Sequence, residues 1–223
     1  MQIIDLSHAI VNGEVTYPGL PAPRITAFLD REASRSHYSA GTEFQLDTIT
    51  MVGNTGTYLD APFTRYEGGK DLADLPLETL VGLPAKVFHI ESGHSRQIDV
   101  DVFLGRDNLP GSAVLVNFGW DQHFGTDKYS VDAPFLTAAA CQYLVDNKVA
   151  LVGVDSVNID DTQGGGERPA HSILLAAGIH IVEHLKNLSA LPETGALFTA
   201  VPPKVRNFGT FPVRAFAQLP NSV

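Results

Sequence analysis

A single cysteine, Cys141, in a chain of 223 residues leaves no partner for an internal disulfide. That fits a reducing compartment. Cationic side chains are scarce too: 15 Lys and Arg against 25 Asp and Glu give a net charge of −10. An acidic chain without a basic run is a poor ligand for nucleic acid or an anionic membrane. No apolar run is long enough to span a bilayer, and MQIIDLSHAI has no basic leader. The expected location is the cytoplasm. Repeats, low-complexity tracts and linkers are absent, so residues 1–223 read as one domain. The glycine-rich GGGERP, residues 164–169, lacks the Lys-Ser/Thr ending of a phosphate loop and reads as a loop over a pocket.

What remains is an ordinary folded composition, 44% hydrophobic and 18% charged. Ile3 to Leu6 reads as a short strand. VTYPGLPAPR is irregular, because three prolines in six residues forbid regular pairing. FQLDTITM (44–51) alternates apolar and polar, the pattern of a half-buried strand. LADLPLETLVG predicts a short helix ending at Gly82, PAKVFHI a strand, and IDVDVFLG a short helix or loop. SAVLVNFG and ALVGVDSV predict buried strands. APFLTAAACQYLVDNK is the clearest helix, with Cys141 in its core, and PAHSILLAAG predicts a helix stopped by Gly178. IHIVEHL, LFTAVPPKV and FPVRAFAQL return to strand. The sum is a mixed α/β domain with more strand than helix.

Polar residues gather where the buried strands stop. They are Asn54, Tyr58 and Asp60, then Asp155, Asn158 and Asp160, then His171 with Glu183. Such ends are where sites are built, although Asp and Asn also cap turns. Arg168 reads as a partner for a substrate carboxylate or as a solvated charge. Trp120 reads as a pocket wall or as packing. His8 reads as a hydrogen-bonded structural residue, and His37, His89, His94, His180 and His184 as surface or strand residues. His180 and Glu183 should face opposite sides of their strand, which makes His171 the better ligand candidate.

The ordered segments DLSHAI…TYPG, TGTYLDAP, LPLETLVG, VLVNFGW, VGVDSVNID, HSILLAAGIHIVEHLKNL and PVRAFA resemble the cyclase family over nearly the whole chain. That family includes bacterial kynurenine formamidase (arylformamidase) and isatin hydrolase. The resemblance implies a swivelling β/β/α fold, a homo-oligomer (dimer or tetramer) and hydrolysis of a small amide. The family's HxGTHxDAPxH signature places its metal-binding Asp on Asp60. A later His and Glu fall on His171 and Glu183. The two metal-binding histidines of the signature fall on Asn54 and Tyr58, and its acid/base histidine falls on Thr64. The resemblance therefore implies one metal position held by Asp60, His171 and Glu183, suited to Zn or Mn.

Three readings follow. In the first, one divalent metal serves a hydrolase of a small amide, lactam or ester, an aromatic amide among the candidates. Asp60, His171 and Glu183 are then ligands and catalytic groups, Tyr58 donates to the oxyanion, and Asn54, Trp120 and Arg168 contact substrate. In the second, a metal-free enzyme uses Asp60 and Glu183 as an acid/base pair for isomerisation, dehydration or cyclisation. In the third, the chain binds without catalysing.

Overall fold

The computed structural model describes residues 1–91, 93 and 95–220, so His94 lies outside the described residues. Among the described residues there are thirteen strands and three α-helices. The strands are β1 (Gln2–Asp5), β2 (Arg24–Leu29), β3 (Leu46–Thr50), β4 (Tyr58–Asp60), β5 (Leu83–His89), β6 (Gln97–Ile98) and β7 (Ala113–Asn117), then β8 (Phe135–Leu136), β9 (Leu151–Val154), β10 (His180–Glu183), β11 (Leu197–Thr199), β12 (Thr210–Pro212) and β13 (Phe216–Leu219). The helices are α1 (Arg31–Ser34), α2 (Ala138–Asp146) and α3 (Pro169–Ala176). Nine strands form one mixed sheet, in the order β1-β13-β11-β5-β7-β9-β10-β4-β12. Its centre, β5-β7-β9-β10, is parallel, and the flanking pairs are antiparallel.

β7, β9 and β10 are buried along their whole length, as parallel strands covered on both faces are, while β5 exposes Pro84 and His89. Alternation divides their side chains between two cores. Leu115, Leu151 and Val182 join Leu59 and Phe198 on one face. Val114, Val116, Val152, Val154 and Ile181 face the other, against Cys141 and Leu144 of α2 and Leu174 of α3. Cys141 is thus a core residue, and burial pushes its thiol well above the ordinary range.

Three expectations change. FQLDTITM does form β3, but every residue of that strand is exposed, because it pairs only with β2 in a separate hairpin. Alternation reported a strand correctly and misjudged what covers it. LADLPLETLVG makes only a 3-10 turn at Leu77–Thr79, since Pro76 directly precedes that turn. The helix expected from Ala133 begins at Ala138: Phe135 and Leu136 pair with β6, and Thr137 caps α2 by accepting from the Ala140 amide. The helix at Pro169 ends as expected, with Gly178 at φ 75°.

Candidate active site

Strand register assembles the site. β4 runs antiparallel to β10 with Tyr58 opposite Glu183, and β12 sets Thr210 opposite Asp60. Directly opposed side chains leave the same face of a sheet. This is the face against which α3 packs, so His171, on its first turn, meets Asp60 and Glu183. Gly53 is required here, because a Cβ would lie 2.2 Å from the Thr210 carbonyl oxygen.

Asp60 and His171 are each held at one atom and open at another, whereas both oxygens of Glu183 accept a hydrogen bond. The Tyr58 hydroxyl donates to Glu183 Oε2 at 2.5 Å, and the Ile159 amide donates to Oε1 at 2.7 Å. The Thr210 hydroxyl donates to Asp60 Oδ1. The Thr64 hydroxyl lies 2.8 Å from that of Thr210 and 3.4 Å from Asp60 Oδ1. His171 Nδ1 is 2.6 Å from Asp160 Oδ2, which also accepts the His171 amide, while Asp160 Oδ1 accepts the Ala170 amide. A proton on Nδ1 bound to Asp160 leaves Nε2 facing the site. It stands 3.7 Å from Asp60 Oδ2 and 3.8 Å from Glu183 Oε1. Asp60 Oδ2 is buried without a hydrogen-bond partner.

The electrostatics follow from burial and crowding. Burial raises the Glu183 carboxyl to about 7, with Asp60 adding to the rise and the His171 cation opposing it. Burial disfavours the His171 cation, yet the carboxylates of Asp160, Asp60 and Glu183 reverse this and push its pKa up to about 10. Burial, then Glu183 and Asp60, keep the Tyr58 hydroxyl protonated well above its ordinary range. The field that makes His171 basic is also one that attracts a divalent cation.

The residues fit such a cation. One ligand atom from each of Asp60, His171 and Glu183 lies within 4.8 Å of the other two. A tetrahedral ion with bonds of about 2.1 Å sets its ligands roughly 3.4 Å apart, so the two His171 spacings of 3.7 and 3.8 Å need only a small contraction, and the two carboxylate oxygens, within 4.8 Å, are left to close the remainder. The donor set, one imidazole and two carboxylates, suits Zn or Mn. The orphaned Asp60 Oδ2 is an acceptor that an ion would satisfy. Asp160 completes the arrangement as the outer carboxylate that fixes the imidazole tautomer.

A cavity of 580 Å³ opens in front of His171, lined among others by Thr64, Arg65, Asn158, Arg168 and Ser172. The GGGERP loop contributes Gly166 to Pro169 to this mouth. Arg168 lies at the mouth, steadied by Nη1 donating to the carbonyls of Asp161 and Glu167. Asn54 lies beside the Tyr58 hydroxyl and favours its ionised form. Tyr58 is 1% exposed with its proton on Glu183, so it supports Glu183 and does not face the open mouth.

Trp120 is not brought to the site. Its indole N–H donates to the Tyr129 carbonyl at 2.8 Å, and it packs with Tyr17, Phe124 and Val157. The His8 ring stacks on Phe124 at 3.6 Å, and its hydrogen bond runs from its backbone amide to Thr57. Asp155 accepts from the backbone amides of Phe118, Gly119 and Trp120. Sequence reasoning gave Asp160 no role toward His171 and passed over Thr210 altogether. It also missed Tyr17, whose hydroxyl lies near Glu183, Arg168 and Asn158. Thr210 and Tyr17 carry no local signal, since register and loop path bring them in. The pairing of Asp160 with His171 could have been suspected from a carboxylate just upstream of a helix that opens on Pro-Ala-His.

Comparison with known proteins identifies the family and fold. A family model described as "Putative cyclase" matches residues 4–161. Kynurenine formamidase of Bacillus cytotoxicus is 32% identical over 182 residues, 82% of this chain and 81% of that protein. Isatin hydrolase of Roseibium aggregatum is 28% identical over 207 residues, 82% of this chain and 78% of that protein. A solved structure titled "potential metal-dependent hydrolase with cyclase activity" superimposes with a TM-score of 0.79 at 26% identity, covering 98% of this chain and 99% of that one. In fold, in chain-length sequence similarity and in the family model it matches, this protein belongs to the cyclase family.

Proposed function

We propose that this chain hydrolyses a carbon–nitrogen bond in a small amide or lactam, using one divalent ion, Zn or Mn, held by Asp60, His171 and Glu183. The observation that carries the reading is the convergence of His171 Nε2 and Glu183 Oε1 on the orphaned Asp60 Oδ2. The names of the relatives, a formamidase and an isatin hydrolase, support an amide as the target. N-Formylkynurenine is the first substrate to try, which would place the chain in tryptophan catabolism.

When bound, the ion supplies a water that is nucleophilic near neutral pH and polarises the carbonyl. The protein's own groups do the rest. Glu183 would take the proton released as water attacks and return it to the departing nitrogen. Tyr58 keeps its proton and holds Glu183 Oε2, while the Ile159 amide steadies Oε1, the oxygen that faces His171 Nε2. Thr64 and Thr210 hold Asp60, and Thr64 replaces no base. Arg168 is the anchor for a carboxylate on the substrate, and Asn54 a polar contact deeper in.

A homo-oligomer is part of the proposal. The β2–β3 hairpin exposes the directly paired Ile25 and Ile49, and also Phe28 and Leu46. A metal-free acid/base enzyme is the second reading, favoured by the coupling of a Glu183 carboxyl near 7 to a protonated Tyr58.

Elemental mass spectrometry on untagged protein, purified without chelator, tests the choice. About one Zn or Mn per chain is expected, lost in Asp60→Ala and His171→Ala, with amide hydrolysis abolished by chelation. Metal-free protein that stays active in chelator would overturn the metal reading in favour of the second.

A further inference from the structure

Most guanidiniums of this acidic chain find an acid. Arg35, Arg96, Arg106, Arg206 and Arg214 each pair with a carboxylate at 3.5 Å or less. Arg24 and Arg31 belong to the exposed hairpin and its connection. Arg65 and Arg168 are different. Both line the cavity before His171, and neither forms an ion pair with any of the described residues.

Neutral groups tie the two to the first turn of α3. Arg65 Nε donates to the Ser172 hydroxyl at 3.3 Å, and that hydroxyl donates to the Arg168 carbonyl at 2.7 Å. The Arg65 guanidinium lies 5.4 Å from the centre of the Tyr66 ring, whose hydroxyl donates to the Ser172 carbonyl at 2.7 Å. Arg168 Nη1 donates to the carbonyls of Asp161 and Glu167, and the Asp161 carboxylate is spent on Arg96. Stacking and neutral acceptors orient a guanidinium without cancelling its charge. Among the described residues Arg65 keeps both Nη groups without an acceptor.

Glu167 is the acid among the lining residues. Two guanidiniums against one carboxylate leave the mouth positive, although the chain carries −10. A concave site of that sign draws an anion in and holds a cation off. Both arms grow from segments that carry proposed ion ligands, Arg65 five residues after Asp60 and Arg168 three before His171. A carboxylate anchored between them keeps the rest of the molecule in the cavity that His171 lines. We infer that the substrate is a small amide bearing one carboxylate, and that Arg65 is a specificity-determining residue that clamps this carboxylate together with Arg168. The inference rests on the hydrolase reading of the same cavity, but binding alone reads the clamp.

Titration calorimetry on the protein as purified compares 2-acetylbenzoate with acetophenone, its twin without the carboxylate. Neither has a carbon–nitrogen bond, so binding is measured without turnover. 2-Acetylbenzoate should bind about fivefold or more tightly. Arg65→Gln alters an exposed side chain without an ion pair and should fold. It should erase most of the preference and leave acetophenone unchanged, and Arg168→Gln should do the same. Arg65→Lys should restore only part, because charge returns without the planar fork. Lys204→Gln, the same charge change on another exposed side chain, should keep the preference. In hydrolysis, Arg65→Gln should raise KM for 2-formamidobenzoate about fivefold with kcat within about twofold, and leave formanilide unaffected. No turnover of either amide with the binding preference intact would strike the hydrolase reading and leave the clamp standing. Equal binding of 2-acetylbenzoate and acetophenone, a preference that survives Arg65→Gln, or one lost equally in Lys204→Gln would overturn the clamp.

Discussion

Two groups of buried acids stand at the ends of neighbouring strands, and they are satisfied in opposite ways. Asp155, just past β9, spends its oxygens on the backbone amides of Phe118, Gly119 and Trp120. It ties one loop to one strand end and has nothing left to offer. Asp60 and Glu183, on β4 and β10, are each pinned at one oxygen by a hydroxyl from a neighbouring strand, Thr210 or Tyr58. Asp60 Oδ2 keeps no donor, and Glu183 Oε1, which accepts from the Ile159 amide, lies beside it 3.8 Å from His171 Nε2. Burial alone does not mark a chemical carboxylate, since all three are buried. What marks it is an oxygen held ready beside another ligand atom.

The largest test of that contrast removes one acid from each group. Asp60→Ala should lose the ion and about a thousandfold or more of the turnover, the scale of Lewis-acid catalysis. Asp155→Asn should retain the ion and turnover while losing roughly 1–3 kcal/mol of stability, because its amide group faces amides. Metal analysis, amide hydrolysis and urea titration on both variants check this. Equal metal loss in the two would erase the distinction.

The sequence made the frame legible and the wiring less so. Buried strands such as SAVLVNFG and ALVGVDSV announce themselves by continuous β-branched and apolar residues, and they became β7 and β9. Asp60, His171 and Glu183 were legible through their resemblance to a motif, and the fold brings them within 4.8 Å of one another. Position 58 was misread in detail. Spacing put a hydroxyl in the right loop, but only the pairing of β4 with β10 shows that it points at Glu183. Thr210 is 150 residues from Asp60 in sequence and meets it through sheet order alone. The exposed hairpin shows the same limit, because alternation gives a strand's two faces and not what covers them.

The histidines sharpen the comparison at the next scale. His171 is pushed up to about 10 by its carboxylates, whereas burial pushes His180 down to about 4. A folded-state value below the unfolded 6.5 means that the unfolded chain binds more protons between these pH values. The contribution of His180 to stability is therefore complete above about pH 6.5 and is lost as pH falls toward 4. His180→Gln keeps a donor for Thr79 and should flatten this acid limb by on the order of 1–3 kcal/mol. Denaturant midpoints at several pH values measure it, and an unchanged limb would show that His180 is already charged. On the His171 side, Asp160→Asn should weaken metal affinity about 10–100-fold without removing a ligand, the usual consequence of disturbing the group behind a metal-binding imidazole. Metal affinity by competition with a chromophoric chelator reads this directly, and wild-type affinity would mean that Asp160 only caps α3.

Trp120 supplies the smallest and most discriminating test, because it sits on the Asp155 side of the divide. Its amide donates to Asp155 and its indole to the Tyr129 carbonyl, while its ring packs on the cluster formed by Tyr129, Ala133 and Val157. Trp120→Phe keeps an aromatic ring and the backbone amide but removes the indole donor. The lost hydrogen bond should cost about 1 kcal/mol, a fall of roughly 2–4 °C in Tm for a chain of this size. Metal content and kcat/KM should stay at the wild-type level, because neither the ring nor the Tyr129 carbonyl lines the mouth before His171. A selective rise in KM with unchanged Tm would mean that substrate reaches past the mouth to Trp120. The two groups of acids would then be walls of one site, and the readiness of an oxygen would no longer separate them.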